Sequence, residues 1–210
     1  MTAAGGIRDR FRAQMRHEVK EVALRQLIQG GAQALSINAI AKELGVSGPA
    51  LYRYFASRDA LLTELITDAY TDLAAALTAV PRRMVDLAHA YRTWAVAHPH
   101  RYRLLFAAPL AGYHAHDDGL VAAAQRAMDA LFVAAGAGAE PPPALAEELR
   151  LWAHHRGTGA VEPAVALHAV RAWSRLHGFV SLEIDGNFAS MGLNPDGFFA
   201  AEVDALTNGR

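Results

Sequence analysis

At 210 residues the chain has room for one domain of ordinary size or for a small module fused to a larger one. Its 52% hydrophobic and 20% charged residues exclude wholesale disorder, and the lack of cysteine excludes disulfides, thiol nucleophiles and cysteine-ligated metal. The formal charge of −1 hides an asymmetry: residues 1–60 carry nine Lys/Arg against five acids, whereas residues 61–210 carry eleven against sixteen. A basic head on an acidic body is what a chain needs if only the head meets a polyanion.

No apolar run approaches the ~18 residues of a membrane span, and the first fifteen residues are too polar and arginine-rich for a secretory signal. A soluble, cytoplasmic protein without membrane association is expected. Helical periodicity runs nearly everywhere, and strand-like alternation is missing, so the predicted fold is all-α. The first helix is predicted over 8–29, with Phe11, Met15, Val19, Val22, Ala23 and Leu27 on one inward stripe, and Gly30-Gly31 stops it. Three serine-opened pieces follow: 37–44 after Ser36, 48–54 after Ser47 and 58–78 after Ser57. Each serine is placed to accept a hydrogen bond from an orphan N–H of the next turn. Gly45 supplies the tight turn between the first two. Pro81 starts a fifth helix to about 97, which His98-Pro99 breaks. Helices over about 100–107, 118–135, 144–155, 162–185 and 196–207 complete the chain. The linker-like "GAGAEPPP" (136–143) precedes the eighth helix, and a connection over 186–195 precedes the last.

The pieces after Ser36 and Ser47 have the pattern of a helix-turn-helix, with Ile37, Ile40, Ala41, Leu44, Val46, Leu51 and Phe55 pointing inward. The outward residues of the second piece, Ser47, Gly48, Pro49, Ala50, Tyr52 and Arg53, then face the major groove. Ser47 and the N–H groups beside it suit phosphate oxygens, Tyr52 offers a hydroxyl and a flat ring, and Arg53 suits a phosphate or a guanine edge. Arg58, opening the fourth helix, is placed for the DNA backbone. This gives a DNA-binding domain over 1–60, followed by a larger helical domain over 61–210.

"SINAIAKELGVSGPALYRYFASRDALL" (36–62) resembles the DNA-binding signature of the tetracycline-repressor (TetR) family of bacterial transcriptional regulators. The resemblance runs over about 15–65: the small-residue helix, the Gly-Val-Ser turn, "LYRYF" and the Ser-Arg-Asp-Ala-Leu helix start appear in order. It implies a homodimer that reads a palindromic double-stranded operator and leaves it when a small molecule binds. It also implies that Tyr52 and Arg53 match recognition-helix contact positions, that Ser36 and Ser47 match helix starts near phosphate, and that Arg58 matches a backbone-contacting position usually filled by lysine. Pro49-Ala50 offers fewer hydrogen-bond donors than many members have there. "YRTWAVAHPHRYRLLF" (91–106), "PLAGY" (109–113) and "WSRLHGFVSLEIDGNF" (173–188) are similar to the family's WHG-type regulatory domain.

The ninth helix is apolar on two stripes: Val165, Ala169, Ala172, Leu176, Phe179 and Val180, and then Val170, Trp173, His177 and Ile184. A helix apolar on two sides is buried from two sides. A second subunit is the expected second side, through the eighth and ninth helices or the ninth and the last. Gly178, which costs about 1 kcal/mol in a helix interior, fits a close approach there. Aromatic residues suggest an effector pocket lined by Tyr91, Trp94, Phe106, Met128, Phe132, Trp152, His155, Trp173 and His177, suited to a small apolar effector. His98, His100 and the His114–Asp117 run read as solvated loop residues, so no metal site and no cofactor are expected. Ser174 and His177 lack an acid or an oxyanion arrangement, so no enzyme activity is expected. The alternative from another class is a His-ligated metal-responsive or hydrolytic helical protein.

Overall fold

The computed structural model describes residues 3–106, 113, 118–136, 138–156 and 161–208, and every regular element among them is helical. In chain order these are α1 (Ala3–Gly30), a single 3-10 turn (Ala32–Ala34), α2 (Ile37–Glu43), α3 (Gly48–Tyr52), α4 (Arg58–Thr78), α5 (Met84–Ala97) and α6 (Pro99–Phe106). They are followed by α7 (Asp118–Ala135), α8 (Pro143–His155), α9 (Pro163–Ile184), α10 (Asn187–Ser190) and α11 (Pro195–Thr207). The chain divides into two compact units, Met1–Ala69 with Arg103–Leu120, and Tyr70–Tyr102 with Val121–Arg210. The first division falls inside α4, beyond the boundary at residue 60 read from composition.

In the first unit Val19, Val22, Ala23, Ile37, Ile40, Ala41, Leu51, Phe55, Leu61 and Leu62 are all buried. The small Ala41 lies in α2, which packs on α1 and on α3. The Thr63 hydroxyl lies 2.9 Å from that of Tyr113, which brings residues after α6 into this unit. Helix α1 begins five residues earlier than predicted, and this corrects the place of Phe11: it is exposed, because the rest of the three-helix core ends near Met15 and leaves nothing for it to pack on.

The second unit is held across α5, α9 and α11 by Arg92. Its guanidinium reaches Glu183 at 2.6 and 2.7 Å and Asp196 at 2.7 Å, and its Cζ lies 4.8 Å from the Phe199 ring centroid. Two boundaries differ from the sequence reading for local reasons. Helix α5 starts at Met84, not Pro81: Arg83 is extended (φ −116°, ψ 141°) and its guanidinium grips Asp86 one turn on, so the helix is anchored there. The segment after Gly186 contains the one-turn α10, closed at both ends by glycines at positive φ, Gly186 (76°) and Gly192 (70°). Phe188 of α10 packs on Phe179 of α9 at 4.8 Å between ring centroids, which fixes the turn in place.

Candidate nucleic-acid interface

The three serines do what their positions imply. Ser36 Oγ accepts from the Ala39 N–H at 3.3 Å, Ser47 Oγ from Ala50 at 3.3 Å, and Ser57 Oγ from Ala60 at 3.0 Å. Between α2 and α3, Gly45 has φ 67°, a left-handed conformation that a side chain would strain, and the Val46 N–H closes back on the Ala41 carbonyl at 3.0 Å. Gly48 has a second reason to be glycine: a Cβ there would lie 3.3 Å from Asn38 Oδ1 of α2. With only five residues, α3 depends on its cap more than a long helix would. A Ser47→Ala variant is expected to lose about 1 kcal/mol of stability, and amide exchange should show the Ala50–Leu51 amides opening before the rest of the unit.

Leu51 is the inward residue of α3, while Ser47, Pro49, Tyr52 and Arg53 are exposed and Gly48 and Ala50 are half-buried. Tyr52 is 48% exposed although it follows a fully buried leucine, so its ring stands off the surface. Pro49, Tyr52 and Arg53, three and four residues apart, thus share one accessible face. Ser36 is half-buried, its Oγ committed to the cap and its N–H donating to Gln26 Oε1 at 2.9 Å. Arg58 is also half-buried; its Nε donates to the Leu35 carbonyl at 3.2 Å and another guanidinium nitrogen lies 3.4 Å from Asp59. It therefore ties the start of α4 to the entry of α2, as well as standing at the position predicted to meet the DNA backbone.

Sequence reasoning counted Arg16 among the basic residues of the head and gave it no individual role. In the structure it donates to the Tyr54 carbonyl at the end of α3, pairs with Glu64 of α4, and lies 4.5 Å above the Phe55 ring. It is a positioning residue, holding the recognition helix to α1 and α4. Lys20 pairs with Glu64 and Asp68 (3.2 and 2.7 Å) and Arg25 with Glu43 (2.7 Å). Arg8, Arg10, Arg12, Lys42 and Arg53 have no carboxylate partner among the described residues. The cationic excess available to a polyanion is therefore carried by these five.

The nine residues expected to line an effector pocket fall into separate groups of contacts. Trp173, His177 and Tyr91 gather around Tyr102. The His177 ring stacks on both Tyr102 and Trp173, with centroids 5.7 and 5.5 Å apart. The Tyr102 hydroxyl lies 2.9 Å from His177 Nδ1 and 2.7 Å from Ser181 Oγ, and the Tyr91 hydroxyl 3.4 Å from the same imidazole nitrogen. Burial pushes the Tyr91 and Tyr102 hydroxyls above the usual phenol range and the His177 imidazole below its ordinary value, so this cluster is neutral at pH 7. Phe132 and Trp152 form a second group, 5.5 Å apart, with Arg156 lying over both rings. Trp94 donates to Asp72 at 2.9 Å and stacks on His98. Burial of the Asp72 carboxyl is outweighed by the bonds from Trp94 and Arg101, which hold it below its usual range. Met128 is half-buried, His155 is exposed, and Phe106 falls in the first unit. A cleft of about 420 Å³ lies between the end of α4, the start of α5 and α7, lined by Ala74, Leu77, Thr78, Leu87, Ala130 and Val133 among others, and by none of the nine.

The second apolar stripe of α9 is also accounted for differently from the expectation. Val170, Trp173, His177 and Ile184 are half-buried, and His177 and Trp173 are engaged by aromatic partners of the same chain. The accessible face is a third one, Arg171, Ser174, Arg175, Gly178 and Leu182. The Ser174 hydroxyl donates to the Val170 carbonyl at 2.8 Å, one turn back along its own helix, so it is not aimed at His177. Among the described residues no three His, Asp or Glu side chains converge to hold a metal ion, and no helix is long and apolar enough to cross a membrane. The His114–Asp117 run and most of "PLAGY" lie outside the described residues.

Comparison with known proteins agrees with this arrangement in both units. Residues 21–65 match the family "Bacterial regulatory proteins, tetR family", and residues 84–206 match "Tetracyclin repressor-like, C-terminal domain". The chain is 33% identical to the HTH-type transcriptional regulator Rv1816 of Mycobacterium tuberculosis over 98% of this chain and 96% of that protein. The crystal structure of the regulatory protein described as SCO4313 superposes with a TM-score of 0.84 at 41% identity, covering 95% of this chain and 98% of that one. A Rhodococcus sp. RHA1 protein of unknown function superposes with a TM-score of 0.66 at 26% identity over 92% of this chain and 94% of its own. The relatives with assigned roles are regulators and not enzymes, and their likeness spans the helix-turn-helix unit and the helical unit alike. The chain belongs to the TetR family of helix-turn-helix, DNA-binding transcriptional regulators.

Proposed function

We propose that the protein is a homodimeric repressor that reads a palindromic operator through α3 and leaves it when a small apolar molecule binds the helical unit. The observation that carries the operator reading is the single accessible face of α3, on which Ser47, Pro49, Tyr52 and Arg53 stand out while Leu51 anchors the helix below. A short helix held at its start by a serine cap and at its end by Arg16 is rigid enough to present side chains to base edges. Dimerisation is supported by the free face of α9. Leu182 is 45% exposed, Phe198 of α11 is 49% exposed, and no atom lies within 4 Å of where a Cβ on Gly178 would stand. A bare glycine beside an exposed leucine in a long helix suits the close approach of a second backbone, and a two-fold pair would match a two-fold operator. The cleft between α4, α5 and α7 is of a size that holds small ligands, with a mostly aliphatic lining, and is the preferred place for the effector.

Selection of duplexes from a random-sequence pool, followed by titration of the recovered site, tests the operator reading. Tyr52→Ala is expected to weaken binding to that site by about 1–3 kcal/mol while leaving the thermal unfolding curve in place. Unaltered affinity would remove Tyr52 from the interface, and failure to recover any preferred sequence would defeat the operator reading itself.

A further inference from the structure

The first turns of α1 project beyond the unit they belong to. Residues 6–14 are exposed without interruption, so about two and a half turns of helix have no face against the protein. A solvated helix of this kind should be polar all round, yet Ile7 is 61% and Phe11 62% exposed. These two lie one turn apart, and Arg8 and Arg12 follow each of them by one residue, so the four share a side of the helix. That side forms a groove of about 460 Å³ whose other wall is Arg53 and Tyr54, the two residues that follow α3. The groove is therefore lined by three guanidiniums, and none of them has a carboxylate partner among the described residues. By contrast Arg16, Lys20, Arg25 and Arg58 of the same unit each meet an acid. Asp9, the acid of the projecting segment, pairs with none of the three.

We infer that this arginine-walled groove seats a DNA strand, so that α1 grips the phosphodiester backbone next to the base pairs that α3 faces. The inference rests on the operator reading above and extends it. Arg53 belongs to both surfaces, which makes the groove continuous with the α3 face. Arg8 and Arg12 neutralise phosphates on the strand leaving that face, and Ile7 and Phe11 lie against the deoxyribose, the apolar part of the backbone. The chemistry suits a strand better than another protein surface, because three like charges around one groove repel one another until a polyanion neutralises them together. Interactions of this kind add affinity without reading sequence.

The test uses the full-length protein and the duplex that the wild type selects from a random pool, with a scrambled duplex of equal length as reference. The double variant Arg8→Gln, Arg12→Gln keeps good helix formers at exposed positions, and its circular dichroism and melting should match those of the wild type. With two fewer phosphates neutralised per protomer, the slope of log K against log salt should flatten by about 1.8 per protomer. Affinity near physiological salt should fall about 10–100-fold for both duplexes, leaving the ratio between them unchanged. A Phe11→Ala variant should weaken both duplexes while keeping the wild-type salt slope. A folded double variant with wild-type affinity and slope would overturn the inference and leave the operator reading standing. So would a double variant that binds DNA normally but no longer binds vesicles containing anionic lipid, since the groove would then belong to a membrane surface. A wild-type protein that selects no sequence defeats the operator reading, and the inference with it.

Discussion

Gly178→Leu is expected to leave the protomer folded and to turn the protein into a monomer. Light scattering should give half the wild-type mass, and far-ultraviolet circular dichroism should be unchanged. The protomer tolerates leucine because a Cβ at 178 points into open space, away from the other parts of its own chain, and because leucine is a better helix former than glycine by about 0.8 kcal/mol. The proposed partner does not tolerate it, since a branched side chain would stand where the second backbone comes near. Operator affinity should fall with dimerisation. A two-fold site bound by a tethered pair gains an effective-concentration factor on the order of 10²–10⁴ over separate half-sites, and a monomer forgoes it. A Gly178→Leu protein that remains a dimer would place the subunit contact elsewhere on the second unit, with the α7 and α8 surfaces, which expose Val121, Val133 and Leu151, as the next candidates.

What could be read in the sequence was whatever the chain encodes over a few residues. The caps at Ser36, Ser47 and Ser57 need only the following turn, Gly45 needs only its own backbone angles, and the alternation that buries Ile40 and Leu51 needs only one helical period. The same local logic was insufficient at the start of α1. Helix α1 runs through Gly5-Gly6, a pair that reads as a stop, and so continues past the core, where Phe11 keeps the spacing of an inward stripe without a partner to receive it. The one-turn α10 was hidden because Gly186 and Gly192 read as the edges of a loop, and the anchoring contact of Phe188 with Phe179 is tertiary.

The contacts between helices of the second unit were less legible for a related reason. Periodicity says which side of a helix is apolar; it does not say which other helix covers that side. Aromatic type alone collected Tyr91, Trp173 and His177 with Phe132 and Trp152. The structure sorts them by helix into a tyrosine–histidine network and an arginine-capped pair. The residues that do line the cleft, such as Ala74, Leu77 and Ala130, are small aliphatics without a compositional signature. Charge was misleading in the same manner. The count of nine cations in the head does not reveal that Arg16, Lys20, Arg25 and Arg58 each meet an acid, or that Arg16 also donates to the Tyr54 carbonyl.

The second large effect is expected at Arg92. Its side chain and that of Glu183 are only 18% and 13% exposed, so the pair is mostly withdrawn from water, and the guanidinium also covers the Phe199 ring. Arg92→Met removes the cation, keeps most of the side-chain volume, and strands a carboxylate beneath α11. Breaking a fully buried pair from one side costs about 3–5 kcal/mol. With the Asp196 end of the network open to solvent, a loss of about 2–3 kcal/mol is expected, read as a lower urea midpoint at unchanged slope. Adding Glu183→Leu to Arg92→Met should restore part of the loss, because the stranded charge disappears and an apolar side chain fills its place beside Phe199. No recovery in the double variant would mean that the guanidinium acts chiefly through its stacking on Phe199 and its reach to Asp196. Since Arg92 fastens α9 and α11 together and these two helices carry Gly178, Leu182 and Phe198, the single variant should also dimerise more weakly. The double variant separates the two effects: recovered folding stability with persistently weak dimerisation would assign to Arg92 the spacing of α9 against α11, and recovery of both would assign it the stability of the unit alone.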